Sequence, residues 1–191
     1  MVTRCTKNGL KALLLAATAT VCALGGSACR KAEPQATPAA AIESFYSVRI
    51  AGGARGTPSV DELERLAPFI SVELHDLLAE ALLNHQKLAA KTRDKGDTFS
   101  DGDLFSSLFD GPTSLLVGGS EPLAGDQFLI TVKLTSARQL PALKWSDKVR
   151  VVREGGHYVV ADIEYANHWA FGSNTRLVHS LQRALGKDTS V

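Results

Sequence analysis

The 191-residue chain has little cysteine, and its three cysteines all fall within the first 29 residues. If a leader ending at residue 28 is removed, one cysteine remains. The sequence therefore predicts no internal disulfide, no cysteine-based metal site and no cysteine nucleophile. The formal net charge of the chain is only +1. The sequence therefore indicates no basic face of the kind that nucleic-acid binding needs. Stability must come from an apolar core.

The chain also lacks the short motifs of several enzyme classes. It contains no HExxH zinc motif, no GxSxG elbow, no Walker loop and no dinucleotide fingerprint. Its five histidines are scattered along the chain, and none is paired at the i and i+4 spacing of a helical metal site. The sequence therefore predicts no metal, no cofactor and no complete catalytic constellation.

The first 28 residues are organised like a bacterial lipoprotein signal peptide. Basic residues precede the apolar run ALLLAATATVCALGG, which spans residues 12–26. A run of this length is too short for a membrane-spanning helix, which needs about 20 residues. Small residues directly before Cys29 resemble a lipobox, whose cysteine is lipidated and becomes the first mature residue. The alternative is an ordinary signal peptide with an incidental cysteine.

Cleavage before Cys29 would leave 163 residues with a net charge of about −2, enough for one domain. Residues 29–40, which contain RKAEPQATPA, predict a lipid-anchored flexible tether. We expect a single domain over 41–186 and a disordered tail over 187–191. Arg30, by analogy with enteric lipoproteins, favours the outer membrane, with the domain facing the periplasm.

Apolar spacing of three and four residues predicts helices in the first half of the domain. One helix would run from Ile42 to a stop at Gly52–Gly53, and a short one would begin at Ser59, which has capping-box spacing to Glu62. A third would run from a cap at Ser71 to about residue 91.

The second half of the chain changes to alternation. QFLITVKLT predicts a half-buried strand, SLLVGG adds another, and KWSDKVRVVREGGHYVVADIEY predicts a hairpin with its turn at Gly155–Gly156. NTRLVHSLQRALG predicts a final helix. Helices, then an antiparallel sheet, then a helix indicate an α+β fold.

Three segments of the chain carry a family resemblance. They are SVELHDLL from Ser71, GDLFSSL from Gly102 and VREGGHYVVADIEY from Val152. They resemble the bacterial family called domain of unknown function 3828, over about residues 41–185, although Tyr158 stands where the family pattern has Trp. The resemblance implies a nuclear-transport-factor-two-like cone, a curved antiparallel sheet of about three to five strands around helices, in an envelope lipoprotein. The family has no established reaction, so it implies no catalytic residues.

Asp162 is the candidate pocket carboxylate. A two-residue turn would pair Val149 with Asp162 and place Asp162 on the same face as Trp145 and Tyr158. Burial beside aromatic rings would raise the pKa of this carboxyl and suit it to proton transfer. The alternative is a structural acid bonded to a backbone amide or to an arginine such as Arg176.

The acidic segment SDGDLFSSLFDGP, residues 100–112, begins like a calcium-binding loop but fails at the next ligand positions. One interpretation is a short helical turn that buries its apolar residues, with an aspartate as its cap. The other is an exposed recognition loop for a protein partner. The candidate partner-surface residues are Asp101, Asp103, Phe105, Phe109 and Asp110.

Trp169, in YANHWAFGSN, either anchors a protein partner or locks the last helix onto the sheet. The functional hypothesis is a non-catalytic, protein-binding envelope lipoprotein, for example an immunity protein that inhibits a secreted antibacterial effector. One alternative is a small-molecule-binding or enzymatic protein that uses Asp162. Another is a structural role in envelope maintenance.

Overall fold

The structure is a computed structural model, and four stretches of the chain are described. The predictions for Cys29, Asp101 and Trp169 concern residues outside those stretches, as do the predicted leader, most of the predicted tether and most of the tail. No helix within the stretches is long and apolar enough to cross a membrane. The described stretches are residues 36–53, 56–91, 102–166 and 176–187.

The predicted α+β fold is confirmed in the described part of the chain. Helices come first, a four-stranded antiparallel sheet follows in which each strand pairs with the next, and a helix comes last. The elements are α1 (Pro38–Gly52), α2 (Val60–Leu66), a 3₁₀ turn (Ala67–Phe69), α3 (Val72–Lys91), β1 (Ser114–Leu123), β2 (Gln127–Ser136), β3 (Leu143–Glu154), β4 (His157–Glu164) and α4 (Leu177–Ala184).

The first three helices begin where the sequence offers a capping side chain. Thr37 accepts a hydrogen bond from the backbone amide three residues on, at 3.2 Å, and Pro38 suits the first helical turn. α1 therefore begins inside the range predicted as tether. Ser59 and Ser71 accept the equivalent bonds at the starts of α2 and α3, at 3.2 and 3.1 Å, as predicted.

Glycines and two register shifts shape the sheet. The predicted hairpin turn is confirmed, because Gly155–Gly156 have φ values of 58° and 88°, which a primed turn requires. One shift lies in β1 near Gly118, where an added Cβ would stand 2.9 Å from the Thr131 carbonyl oxygen. The other separates Arg150 from Val151 in β3 and changes the site described below.

The core lies between one face of the sheet and the helices. α1 packs against β1, β3 and β4, and α4 packs against α3 and β4. The predicted apolar face of α1, with Ile42, Phe45 and Tyr46, is completely buried. The buried strand residues of the same core are Ile130, Val132, Leu134, Val149, Val151, Val160 and Ile163.

Arg49 on α1 is a buried cation, 2% exposed. Its Nη1 donates to Glu62 on α2, and its Nε donates to Asp103 Oδ1 at 3.1 Å. The guanidinium also lies 4.8 Å from the centre of the Phe105 ring. Two carboxylates thus share one cation, and burial raises the pKa of Asp103 although Arg49 opposes the shift.

The segment from residue 102 to 112 forms turns, so the predicted helical turn is wrong. Tyr46 Oη donates to the Phe105 carbonyl at 2.9 Å, and Tyr165 Oη donates to the Leu104 carbonyl at 2.7 Å. These carbonyls therefore bond to side chains from α1 and from the end of β4. The Asp103 side chain accepts from the Phe105 amide at 3.3 Å, which keeps the predicted capping contact without a helix.

Replacement of Arg49 by Met should leave Glu62 and Asp103 as buried carboxylates without a cation. We expect the free energy of unfolding, measured in urea, to fall by about 3 to 5 kcal/mol. Arg65→Met is the matched control, because Arg65 is exposed and donates to a carbonyl of its own helix. A loss for Arg49→Met no larger than that of the control would contradict a central role for the buried cation.

The raised pKa of Asp103 gives a pH dependence of known sign. Folded Asp103 keeps its proton to a higher pH than the unfolded chain does. Its contribution to stability is therefore lost as pH rises from the ordinary carboxyl value, about 3.9, through the raised folded value. As the pH falls from about 7 to about 4.5, the unfolding free energy of the wild type should therefore rise relative to that of Asp103→Asn. A fall instead would mean that pairing with Arg49 outweighs burial.

Candidate functional site

Asp162 lies on the opposite face of the sheet from the one predicted. Val160 stands opposite Val151 as expected, but the register then shifts, so that Ile163 faces Val149 and Asp162 faces Arg150. A β-bulge adds one residue to β4, and one added residue turns every later side chain to the other face. The prediction that Asp162 pairs with Val149 is therefore wrong.

Trp145 and Tyr158 are not brought to Asp162, so the predicted three-residue pocket is wrong. Both follow the alternation of the buried sheet face, whereas Asp162 points away from it. Trp145 Nε1 donates to Asp147 Oδ2 at 3.2 Å. Tyr158 Oη donates to Asp126 Oδ1, also at 3.2 Å. The two aromatic side chains therefore serve separate packing contacts.

Asp162 instead borders an open groove between the outer face of the β3–β4 hairpin and α4. The groove encloses about 580 Å³ and is mostly polar. Its position follows from the bulge, which presents Asp162 outward beside the start of α4. The lining residues are Glu73, Gln127, Arg150, Val152, Ala161, Asp162, Arg176, Val178, His179 and Gln182.

The carboxylate of Asp162 is occupied by three donors. Its Oδ1 accepts from the backbone amides of Ile163 and Val178, at 2.8 and 3.0 Å. Its Oδ2 lies 2.8 Å from Nη2 of Arg176. Burial raises the pKa of Asp162, and the Val178 amide and Arg176 oppose that shift. A backbone amide and Arg176 are the partners expected if Asp162 is a structural acid and not a catalytic one.

Only some of the predicted partner-surface residues in the 102–112 segment are exposed. Asp103 is 3% exposed and Phe105 is completely buried, so neither can meet a partner and both assignments are wrong. The cause is Arg49, which draws the Asp103 carboxylate inward and lies against the Phe105 ring. Phe109 is 40% exposed and Asp110 is partly exposed, so these two remain at the surface.

A second buried acid, Asp147, was missed from the sequence. It is completely buried on β3, where it accepts from the Ser107 amide and hydroxyl, the Ala166 amide and the Trp145 indole. The available signal was its position in the alternation of β3, since every second residue from Trp145 faces the core. Asp147 fastens the 102–112 segment to the sheet.

No group of three or more His, Cys, Asp or Glu side chains able to hold a metal occurs among the described residues. No family model matches the chain, and no curated protein matches it. A crystal structure of a protein of unknown function from Bacteroides thetaiotaomicron VPI-5482 is similar, with 20% identity over 64% of this chain and 85% of that chain and a TM-score of 0.30. A similarity of this size does not establish a shared fold or family, so the family resemblance stays a prediction.

Substitution of Asp162 by Asn should weaken the fold rather than remove an acid–base group. The amide keeps one acceptor oxygen but loses the ion pair with Arg176, so we expect unfolding to become easier by about 1 to 3 kcal/mol. Thermal and urea unfolding would measure the loss. Asp126→Asn is the control, because Asp126 is exposed and pairs with the exposed Arg153 at 3.3 Å. Unchanged stability in Asp162→Asn would contradict the structural role.

Proposed function

We propose that the chain is a non-catalytic binding module of the bacterial cell envelope. The observation that carries this proposal is the state of Asp162, the acidic group that the enzymatic alternative requires. Both of its carboxylate oxygens accept bonds from the chain itself, from two amides and from Arg176. A general base must be within reach of the proton that it removes, whereas Asp162 holds α4 and Arg176 in place.

The proposed location rests on the sequence. A basic start, a short apolar run and small residues before Cys29 support a lipid anchor. Several acyl chains on that cysteine would hold the protein permanently at the membrane, because each buried methylene contributes about 0.8 kcal/mol. Arg30 supports the outer membrane, and the domain would face the periplasm.

An apolar rim, made of Phe109, Leu140 and Leu143, supports a protein partner. These side chains are 40%, 96% and 37% exposed. They lie at the same end of the sheet, where Arg138 Nη1 donates to the Gly111 carbonyl at 3.2 Å and links the two loops. Large apolar side chains exposed together are typical of protein-binding surfaces.

The partner class that suits this location is another protein that reaches the envelope. A concrete form of the proposal is an immunity protein, in which the apolar rim contacts a secreted antibacterial effector. Inhibition by binding needs no catalytic group in the inhibitor. It needs an exposed contact surface that changes little on binding. Leu143 is the first residue of β3, and Phe109 and Leu140 lie in the two loops beside it.

Affinity capture of the full-length protein from envelopes tests this proposal. We expect Leu140→Ser and Phe109→Ser to lower the recovery of a specific partner by about 10-fold or more, as loss of an apolar anchor does. Leu83→Ser is the matched control, since Leu83 is 52% exposed but lies on α3. Equal recovery with all three variants would contradict a role for the rim. Recovery of no specific protein by the wild type would contradict the binding module.

A further inference from the structure

Two guanidinium groups converge on the wall of the groove. Arg150 comes from β3, and Arg176 directly precedes α4. Nη2 of Arg150 lies 3.6 Å from Oε1 of Glu164, and Nε of Arg176 lies 3.9 Å from the same oxygen. Both distances exceed that of a hydrogen bond. Glu164 therefore balances charge at this point without accepting a short bond from either group.

The Nε atoms of both arginines are buried and have no hydrogen-bond partner within the described stretches. Most buried polar groups in proteins are hydrogen-bonded, and an unpaired donor on a charged group is especially unfavourable. Asp162 does not relieve Arg176, since its bond is to Nη2. The two guanidinium groups are thus not fully paired within the described stretches. Their Nε atoms are shut off from solvent, so an acceptor from outside the chain would have to meet them through the Nη groups of side chains that are 30% and 41% exposed.

The surroundings limit which acceptor fits. Asp162 and Glu164 balance the charges of the two arginines, so the groove would not attract an anion through net charge. Recognition must come from directed N–H donors, and an arginine side chain presents these as a fork that matches a carboxylate or phosphate. Glu73 and His179 are the other titratable groups in the lining.

The size of the groove indicates that the anionic group is one end of a larger molecule. Its volume of about 580 Å³ lies in the usual range for small-molecule sites. The acidic side chain of Glu73 disfavours a ligand with negative charge along its whole length. Gln127 and Gln182 offer neutral hydrogen bonds beside the arginines, and Val152 and Val178 offer apolar contact.

We propose that Arg150 and Arg176 form an oxyanion-binding site, which holds the carboxylate or phosphate end of a small molecule in this groove. The Nη donors of the two arginines bind the oxygens, because the Nε atoms are shielded from the groove. Asp162 holds the Arg176 guanidinium at Nη2, 2.8 Å away, and Glu164 balances the charge of both arginines. The site lies in the groove and not on the apolar rim, so it does not depend on the proposed protein partner.

Isothermal titration calorimetry of the full-length chain in detergent tests this site. Inorganic phosphate and acetate are the two probes, each added at constant ionic strength so that screening does not change. We expect at least one to bind the wild type, and Arg150→Gln and Arg176→Gln to weaken its Kd by about 10- to 100-fold, as loss of a charge-assisted hydrogen bond does. Phosphate binding alone would assign a phosphate ligand, and acetate binding alone a carboxylate ligand.

Arg153→Gln is the matched control. Arg153 lies on the same strand and pairs with an acid, Asp126, but is outside the groove lining. Its Kd should equal that of the wild type. Arg150→Lys, which keeps the charge but loses the fork, should also weaken binding, and it carries the test if Arg176→Gln fails to fold. Equal weakening in Arg153→Gln, or no binding of either probe below about 10 mM, would overturn the proposal.

Discussion

The buried guanidinium of Arg49 is the interaction on which the described domain depends most. One cation on α1 holds Glu62 on α2 and Asp103 in the 102–112 segment, and it stacks against Phe105. A buried charge is tolerated only when it is paired and hydrogen-bonded. These three pieces of chain therefore cannot separate without leaving a charge unpaired. The acidic segment, which begins like a calcium-binding loop in the sequence, is instead held by the charged side chain of Arg49.

The same chemistry recurs at two other buried carboxylates. Asp147 binds the amide and hydroxyl of Ser107 and so fastens the 102–112 segment to β3. Asp162 binds the amide of Val178 and so fastens α4 to β4. Each acid replaces backbone bonds that an irregular connection cannot make for itself. Asp103, Asp147 and Asp162 are consequently connectors. Two of the buried polar atoms that lack a partner within the described stretches, Nε of Arg150 and Nε of Arg176, belong to side chains that line the groove.

Local signals made much of the fold predictable from the sequence. Helix starts follow from Ser59 and Ser71, and the hairpin follows from Gly155–Gly156, because a cap or a turn is decided by a few neighbouring residues. The face of Asp162 was not predictable in this way. A bulge is a mismatch between two strands, and nothing in the composition of β4 marks it. Phe105 and Phe109 were equally ambiguous, since the buried ring is distinguished by contacts with Arg49 and Phe45 that are distant in the sequence.

Because Asp162 lies on the outer face of the sheet, the candidate site also lies there and not on the buried face. On the buried face, Asp162 would have been an isolated acid beside aromatic rings, a setting that raises a carboxyl pKa and suits catalysis. On the outer face it meets Arg176 and the start of α4, where it accepts three bonds. Asp162 in that setting orients Arg176, which is one of the two arginines that line the groove. A single extra residue in β4 thus removes Asp162 from the predicted aromatic setting and places it beside the two arginines of the proposed oxyanion site.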